Sequence, residues 1–124
     1  MSDRSIDPTA AHAAVERGAR LIDVRALEEF EDGRPARAEN IPLARFVEGR
    51  LVDDAAFVAR VRDAIAVDEP VLLLCRSGVR ARRAAQLLSL AGYTDVRVVV
   101  GGYDGTRGPF GEVLEPGWRR SGLG

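Results

Sequence analysis

The sequence has no lysine: all 18 of its basic side chains are arginine. Chemistry that runs through a lysine Schiff base is therefore excluded. Cysteine, histidine and tryptophan each occur once, as Cys75, His12 and Trp118. A single cysteine rules out an internal disulfide, a zinc cluster built on several cysteines, and the C-x-x-C pair of a thioredoxin-type reductase. One histidine leaves little for a metal site, so no metal is expected. A Cys-His hydrolase needs a histidine within reach of the thiol. His12 lies on the first predicted helix with no motif around it and reads as a solvated surface residue. The net charge of −1 argues against a general nucleic-acid binder. The chain opens with the polar stretch MSDRSIDPTAAH. Neither a secretory signal nor a membrane anchor is expected from it. A free thiol fits a reducing compartment, so a cytoplasmic location is expected.

What is present is an ordinary globular balance: 124 residues, 46% apolar and 30% charged. That length suits one domain spanning 1–124, large enough to bury a core without disulfides or a structural metal. Asp7-Pro8 signals a helix start, with Gly18 as its stop. Leu21, Ile22 and Val24 make a buried strand. A short helix over 26–32 ends at Gly33. Ile41-Pro42-Leu43 is a brief extended piece. Asp53-Asp54 caps a helix over 55–66 whose Phe57, Val58, Val61 and Ile65 share one face. Val71 to Cys75 and Val96 to Val100 are apolar runs of strand length, separated by a helix over 79–91. Strands that are apolar throughout and alternate with helices imply an α/β fold: a mostly parallel sheet of about five strands with helices on both faces. From Gly101 the chain turns rich in glycine and proline and reads as a long ordered loop or flap. Residues 119–124 read as a short surface tail. No exposed apolar stripe stands out.

Cys75 falls at the carboxyl end of a strand, where sites form in open parallel sheets. It is followed by Arg76, Ser77, Gly78, Val79 and Arg80, a tight turn into a helix. Gly78 lets the backbone fold back closely. Converging loop amides, the helix N-terminus and nearby guanidinium groups all favour the thiolate over the thiol. The stretch is built for a nucleophile, with Arg76 and Arg80 weighted as functional. Arg82 and Arg83 read as solvated helix residues, as does the Glu28-Glu29-Glu31 run.

These pieces resemble the rhodanese-like sulfurtransferase domain over nearly the whole chain. LIDVRALEEFEDG is similar to the family's opening motif, and ENIPL to its N-I-P element. CRSGVRA resembles its active-site loop, and AAQLLSLAGYTDVRVVVGG the helix, strand and glycine pair that follow. The resemblance implies that Cys75 takes a sulfane sulfur from thiosulfate or a persulfide. It then passes that sulfur as a persulfide to a thiol, a protein thiol or cyanide. Arg76, Ser77, Gly78, Val79 and Arg80 would hold the substrate, with no cofactor, nucleic acid or membrane involved. Asp23 and Arg25, in the opening motif, are expected to brace the domain by hydrogen bonds. Two departures stand out. Gly33-Arg34-Pro35 replaces the family's common G-H-I, and the tryptophan expected soon after the glycine pair is displaced to Trp118. Residues 103–117 then form an insertion of fifteen residues, expected to cover the site partly as a lid, with Arg107 and Phe110 as its contacts.

A phosphatase or arsenate reductase is the nearest rival. Tyrosine phosphatases place His-Cys, five residues, then arginine around an anion loop. Here Leu74 stands before Cys75 and four residues separate Cys75 from Arg80. That shorter loop suits one sulfur better than a phosphate. A third possibility is a persulfide carrier or interaction module with little turnover.

Overall fold

The computed structural model describes residues 4–124. Met1 to Asp3, the start of the polar opening segment, lie outside them. The central sheet has five parallel strands in the order β1-β7-β6-β2-β3. These are β1 (Ser5–Ile6), β2 (Arg20–Asp23), β3 (Glu39–Asn40), β6 (Val71–Leu74) and β7 (Val96–Val99). β6 is buried at every position, as befits a strand covered on both faces. It sits between β2 and β7 in register, Asp23 opposite Leu74 and Leu73 opposite Val98. The expected extended piece at 41–43 begins earlier, at Glu39. The Ile41 and Leu43 amides continue its ladder by donating to the Asp23 and Val24 carbonyls.

Two cores flank the sheet. One holds Phe57, Val61 and Ile65 from and just beyond α3 (Phe57–Ala64), with Ala81, Ala84 and Leu88 of α4 (Val79–Leu90). The other packs Ala11 of α1 (Pro8–Glu16) and Trp118 against Leu21, Leu72, Leu74 and Val99. Helices therefore cover both faces. Asp7 caps α1 by accepting the Ala10 amide, with Pro8 in the first turn. α2 (Leu27–Asp32) ends at Gly33. The expected Asp53-Asp54 cap does not form: α3 starts after Ala56 with no side-chain cap, and Asp54 instead accepts the Ala56 amide in the turn that precedes the helix.

Three regions differ from the sequence expectations. Residues 44–53 form an antiparallel hairpin, β4 (Ala44–Val47) and β5 (Arg50–Asp53), on which Phe46, Val47, Leu51 and Val52 are exposed. An exposed apolar surface therefore exists where none was expected. Residues 103–117 are not a plain loop: β8 (Thr106–Arg107) and β9 (Val113–Glu115) pair as a bulged hairpin. The end of the chain is docked rather than loose. Gly124 accepts the Ala36 amide, and Leu123 packs against the second core. No helix among the described residues is long and apolar enough to cross a membrane.

Candidate active site

β2 and β6 deliver the site. Their carboxyl ends lie side by side, with the Val24 amide donating to the Leu74 carbonyl (2.8 Å). Chain leaves β6 at Leu74, turns through Cys75 to Gly78, and enters α4 at Val79. Gly78 has φ +121°, a region that side-chain-bearing residues avoid. That turn brings two amides onto the thiol. Gly78 N–H donates to Cys75 Sγ at 3.0 Å and Ala81 N–H at 3.4 Å. Cys75 itself is buried, at 1% exposure. The amides of Val79 and Arg80 belong to the first helical turn, which has no intrahelical acceptors. Those amides are left available to an anion at the mouth of the loop.

A segment after β7 clamps this loop from outside. Tyr103 N–H donates to the Cys75 carbonyl (2.8 Å) and Asp104 N–H to the Arg76 carbonyl (2.9 Å). Gly102 makes the approach possible: at φ +60°, a methyl group there would stand 2.4 Å from the Cys75 oxygen. Tyr103 is flanked by Arg25, 4.6 Å above its ring, and by Arg119 at 5.7 Å.

The arginines expected to serve substrate are held by acids. Arg80 is half-buried on α4 and makes a two-pronged pair with Glu29 of α2, at 2.6 and 2.9 Å. Burial works to raise the Glu29 carboxyl. The hydrogen bonds and charge of Arg80, with the Ala26 amide, outweigh it and hold Glu29 below the usual carboxylate range. Glu29 is thus a structural partner of α4 and not a solvated residue. Its signal in the sequence was its place three residues after Ala26, where an acid reaches back to the helix-start amide. Arg76 is exposed, and its Nε donates to Asp104 Oδ2 (2.9 Å). Arg119 Nη1 donates to the other oxygen of the same carboxylate (2.9 Å). Burial raises Asp104, but its two arginines outweigh that and keep it low.

Arg82 and Arg83 are both exposed on α4, as expected of solvated helix residues. Arg83 pairs with Asp53 of β5. Arg82 turns back onto the loop, with Nη1 3.1 Å from where a Gly78 methyl would lie. No acid pairs with it among the described residues. It borders a groove with Ser77 and Val79. Thr106 and Glu115, at the base of the β8–β9 hairpin, line the same groove. Arg107 and Phe110, the expected lid contacts, do not line it. Arg107 donates to the Gly111 carbonyl of its own turn, and Phe110 is 92% exposed.

Asp23 and Arg25 form a buried ion pair rather than a surface one. Arg25 Nη2 reaches Asp23 Oδ2 at 2.7 Å and the Gly33 carbonyl at 2.7 Å. Asn40 ties the same corner to β3 by donating to the Asp23 and Arg25 carbonyls. No group of three or more potential metal ligands occurs among the described residues.

Comparison with known proteins places this geometry. The family model of the rhodanese-like domain matches residues 7–108. Thiosulfate sulfurtransferase 16, chloroplastic, of Arabidopsis thaliana is 32% identical over 99 residues, covering 80% of this chain and 82% of that protein. Protein HIGH ARSENIC CONTENT 1, mitochondrial, of the same plant is 33% identical over 100 residues, covering 80% and 59%. The crystal structure of Rv0390 from M. tuberculosis superposes with a TM-score of 0.75 at 31% identity, covering 96% of this chain and 93% of that one. The chain spans about half the length of some other curated relatives it matches. With the fold, the strand-end cysteine and these matches in agreement, the chain belongs to the rhodanese-like domain family.

Proposed function

We propose that the protein is a sulfurtransferase that carries sulfane sulfur on Cys75. The observation that supports this best is the pair of backbone amides on Sγ, in a loop one residue shorter than that of the tyrosine phosphatases. In the first half-reaction the Cys75 thiolate attacks the outer sulfur of thiosulfate. The S–S bond of the donor breaks, and sulfite leaves with its electron pair. The new persulfide ends in an anionic sulfur, which the amides of Ser77, Gly78, Val79 and Arg80 stabilise as an oxyanion hole stabilises oxygen. In the second half-reaction a thiolate or cyanide attacks that outer sulfur, and the Cys75 thiolate departs. A persulfide donor enters by the same displacement, with a thiolate leaving in place of sulfite. Arg82 supplies the unpaired positive charge beside the loop, and the groove it shares with Thr106 and Glu115 offers the acceptor its approach. In this role the base of the hairpin, not its tip, shapes acceptor access. Cytoplasm suits a chain that works through a free thiolate.

Steady-state rates with thiosulfate and cyanide varied together test this reading. A double displacement through Cys75 gives parallel double-reciprocal lines, and Cys75→Ser abolishes thiocyanate formation. Intersecting lines, or activity that survives in Cys75→Ser, contradict it.

A second reading, reduction of arsenate or hydrolysis of a phosphate ester, draws on the similarity to the HIGH ARSENIC CONTENT 1 protein. The Arg80 guanidinium speaks against it, because Glu29 occupies two of its nitrogens. Turnover of arsenate or an aryl phosphate that depends on Cys75 would support this second reading. Sulfur loading from thiosulfate without efficient release to small acceptors would mark a persulfide carrier instead.

A further inference from the structure

Asp104 lies outside the loop that carries Cys75, yet it is bonded to that loop twice. Its amide donates to the Arg76 carbonyl, and its carboxylate accepts from Arg76 Nε, both at 2.9 Å. Arg119 Nη1 and, through the Asp104 carbonyl, Arg120 Nη1 hold the residue from the other side. A full negative charge is thereby fixed against the first arginine after the nucleophile. Arg76 remains exposed, and its contact with that carboxylate is through Nε.

Resting on the sulfurtransferase reading, we propose that Asp104 is a specificity-determining positioning residue that offsets the charge of Arg76. It thereby favours sulfur donors with a single negative charge over the thiosulfate dianion. Coulomb energy scales with donor charge, so a fixed carboxylate penalises a dianion twice as much as a monoanion at the same place. Thiosulfate and an aryl thiosulfonate isolate this variable. Both present a terminal sulfane sulfur to the Cys75 thiolate. One releases sulfite as the S–S bond breaks, and the other releases a sulfinate with the same electron pair.

The experiment is single-turnover loading of Cys75, followed by intact mass, with each donor separately. Asp104→Asn keeps an acceptor oxygen for one guanidinium while removing the charge. It should speed thiosulfate loading about tenfold and thiosulfonate loading about threefold, the logarithms standing two to one. The gain should shrink as ionic strength rises. Asp104→Glu should restore the wild-type donor ratio. Should Asp104→Asn not fold, Arg119→Gln tests the same idea with opposite sign: thiosulfate loading falls more than thiosulfonate loading. A ratio between donors that stays unchanged in folded variants overturns the proposal, because a merely structural role moves both donors together. Wild-type protein that loads from neither donor overturns the sulfurtransferase reading and this proposal with it.

Discussion

The surroundings of Cys75 are set by residues that follow it and by a segment far along the chain. Its sulfur meets the amides of Gly78 and Ala81 because Gly78 adopts φ +121° and α4 starts at Val79. Its carbonyl is clamped by Tyr103 because Gly102 leaves no side chain in the way. Gly102→Ala should therefore displace the loop. The expected result is loss of sulfur loading and about 2–3 kcal/mol of stability, read by urea unfolding and intact mass. Glu29→Gln acts through charge instead. It leaves Arg80 half-buried without its anion and should cost about 2 kcal/mol. The sign of its pH dependence is fixed. Folding lowers the Glu29 pKa, so its stabilisation is complete above the unfolded-state value of about 4.3. It is lost as pH falls from there through the lower folded-state value. The variant should show a flatter acid limb than wild type in a stability-versus-pH series. An unchanged limb would mean that Glu29 carries no such linkage. Cys75 and its loop were legible in the sequence because the signal is local: apolar strand, thiol, glycine, helix. Asp104 and Glu29 were not legible as partners. Each meets its arginine across a long stretch of chain, 28 and 51 residues apart; the spacing from Ala26 marks Glu29 as the acid at the helix start, but it does not name Arg80.

At the scale of elements, the site is a junction of four segments: the β6–α4 turn, the β2–α2 corner, the stretch after β7, and the 3₁₀ turn Trp118–Arg120. Glu29 to Arg80 ties the second to the first, and Asp104 ties the first to the third and fourth. The β8–β9 hairpin rises from this junction with its base on the groove and its tip in solvent. Phe110→Ala should leave thiosulfate loading within about twofold of wild type and stability within about 0.5 kcal/mol. A large loss in acceptor transfer, measured with a thiol acceptor, would show that the tip does reach the site. The three central strands were legible because each carries a short, mostly apolar run: Leu21-Ile22 in β2, Val71 to Leu74 in β6, and the valines of β7. The two hairpins were not. In β4–β5 the turn is Glu48-Gly49, both with positive φ. Such a turn suits a tight hairpin but lacks the Asn-Gly or Asp-Gly signal that announces one. β1 escaped notice for another reason: two residues, Ser5 and Ile6, become a strand only because Val98 and Val99 lie beside them.

Across the molecule, the last residues close the fold that the first ones open. Trp118 packs between α1 and the sheet, and its amide donates to the Gly102 carbonyl, next to the segment that clamps the Cys75 loop. As the only tryptophan it reports on that closure. Trp118→Ala should cost about 3–5 kcal/mol in chemical unfolding. In wild type, tryptophan fluorescence and far-ultraviolet circular dichroism should change together, as one cooperative unit requires. Separate transitions would detach the C-terminal segment from the core. The fold class, the strand-end position of Cys75 and the pairing of Asp23 with Arg25 two residues on involve residues close together in sequence. The charge balance around the loop does not, because it depends on which of 18 arginines finds an acid in space.

The most direct test of the central claim is the intact mass of the protein after exposure to thiosulfate, with Cys75→Ala alongside and cyanide added afterwards. The account predicts a gain of one sulfur atom on the wild type alone, and its loss to cyanide as thiocyanate. No added sulfur from thiosulfate or a persulfide donor, or an equal gain in Cys75→Ala, would contradict it.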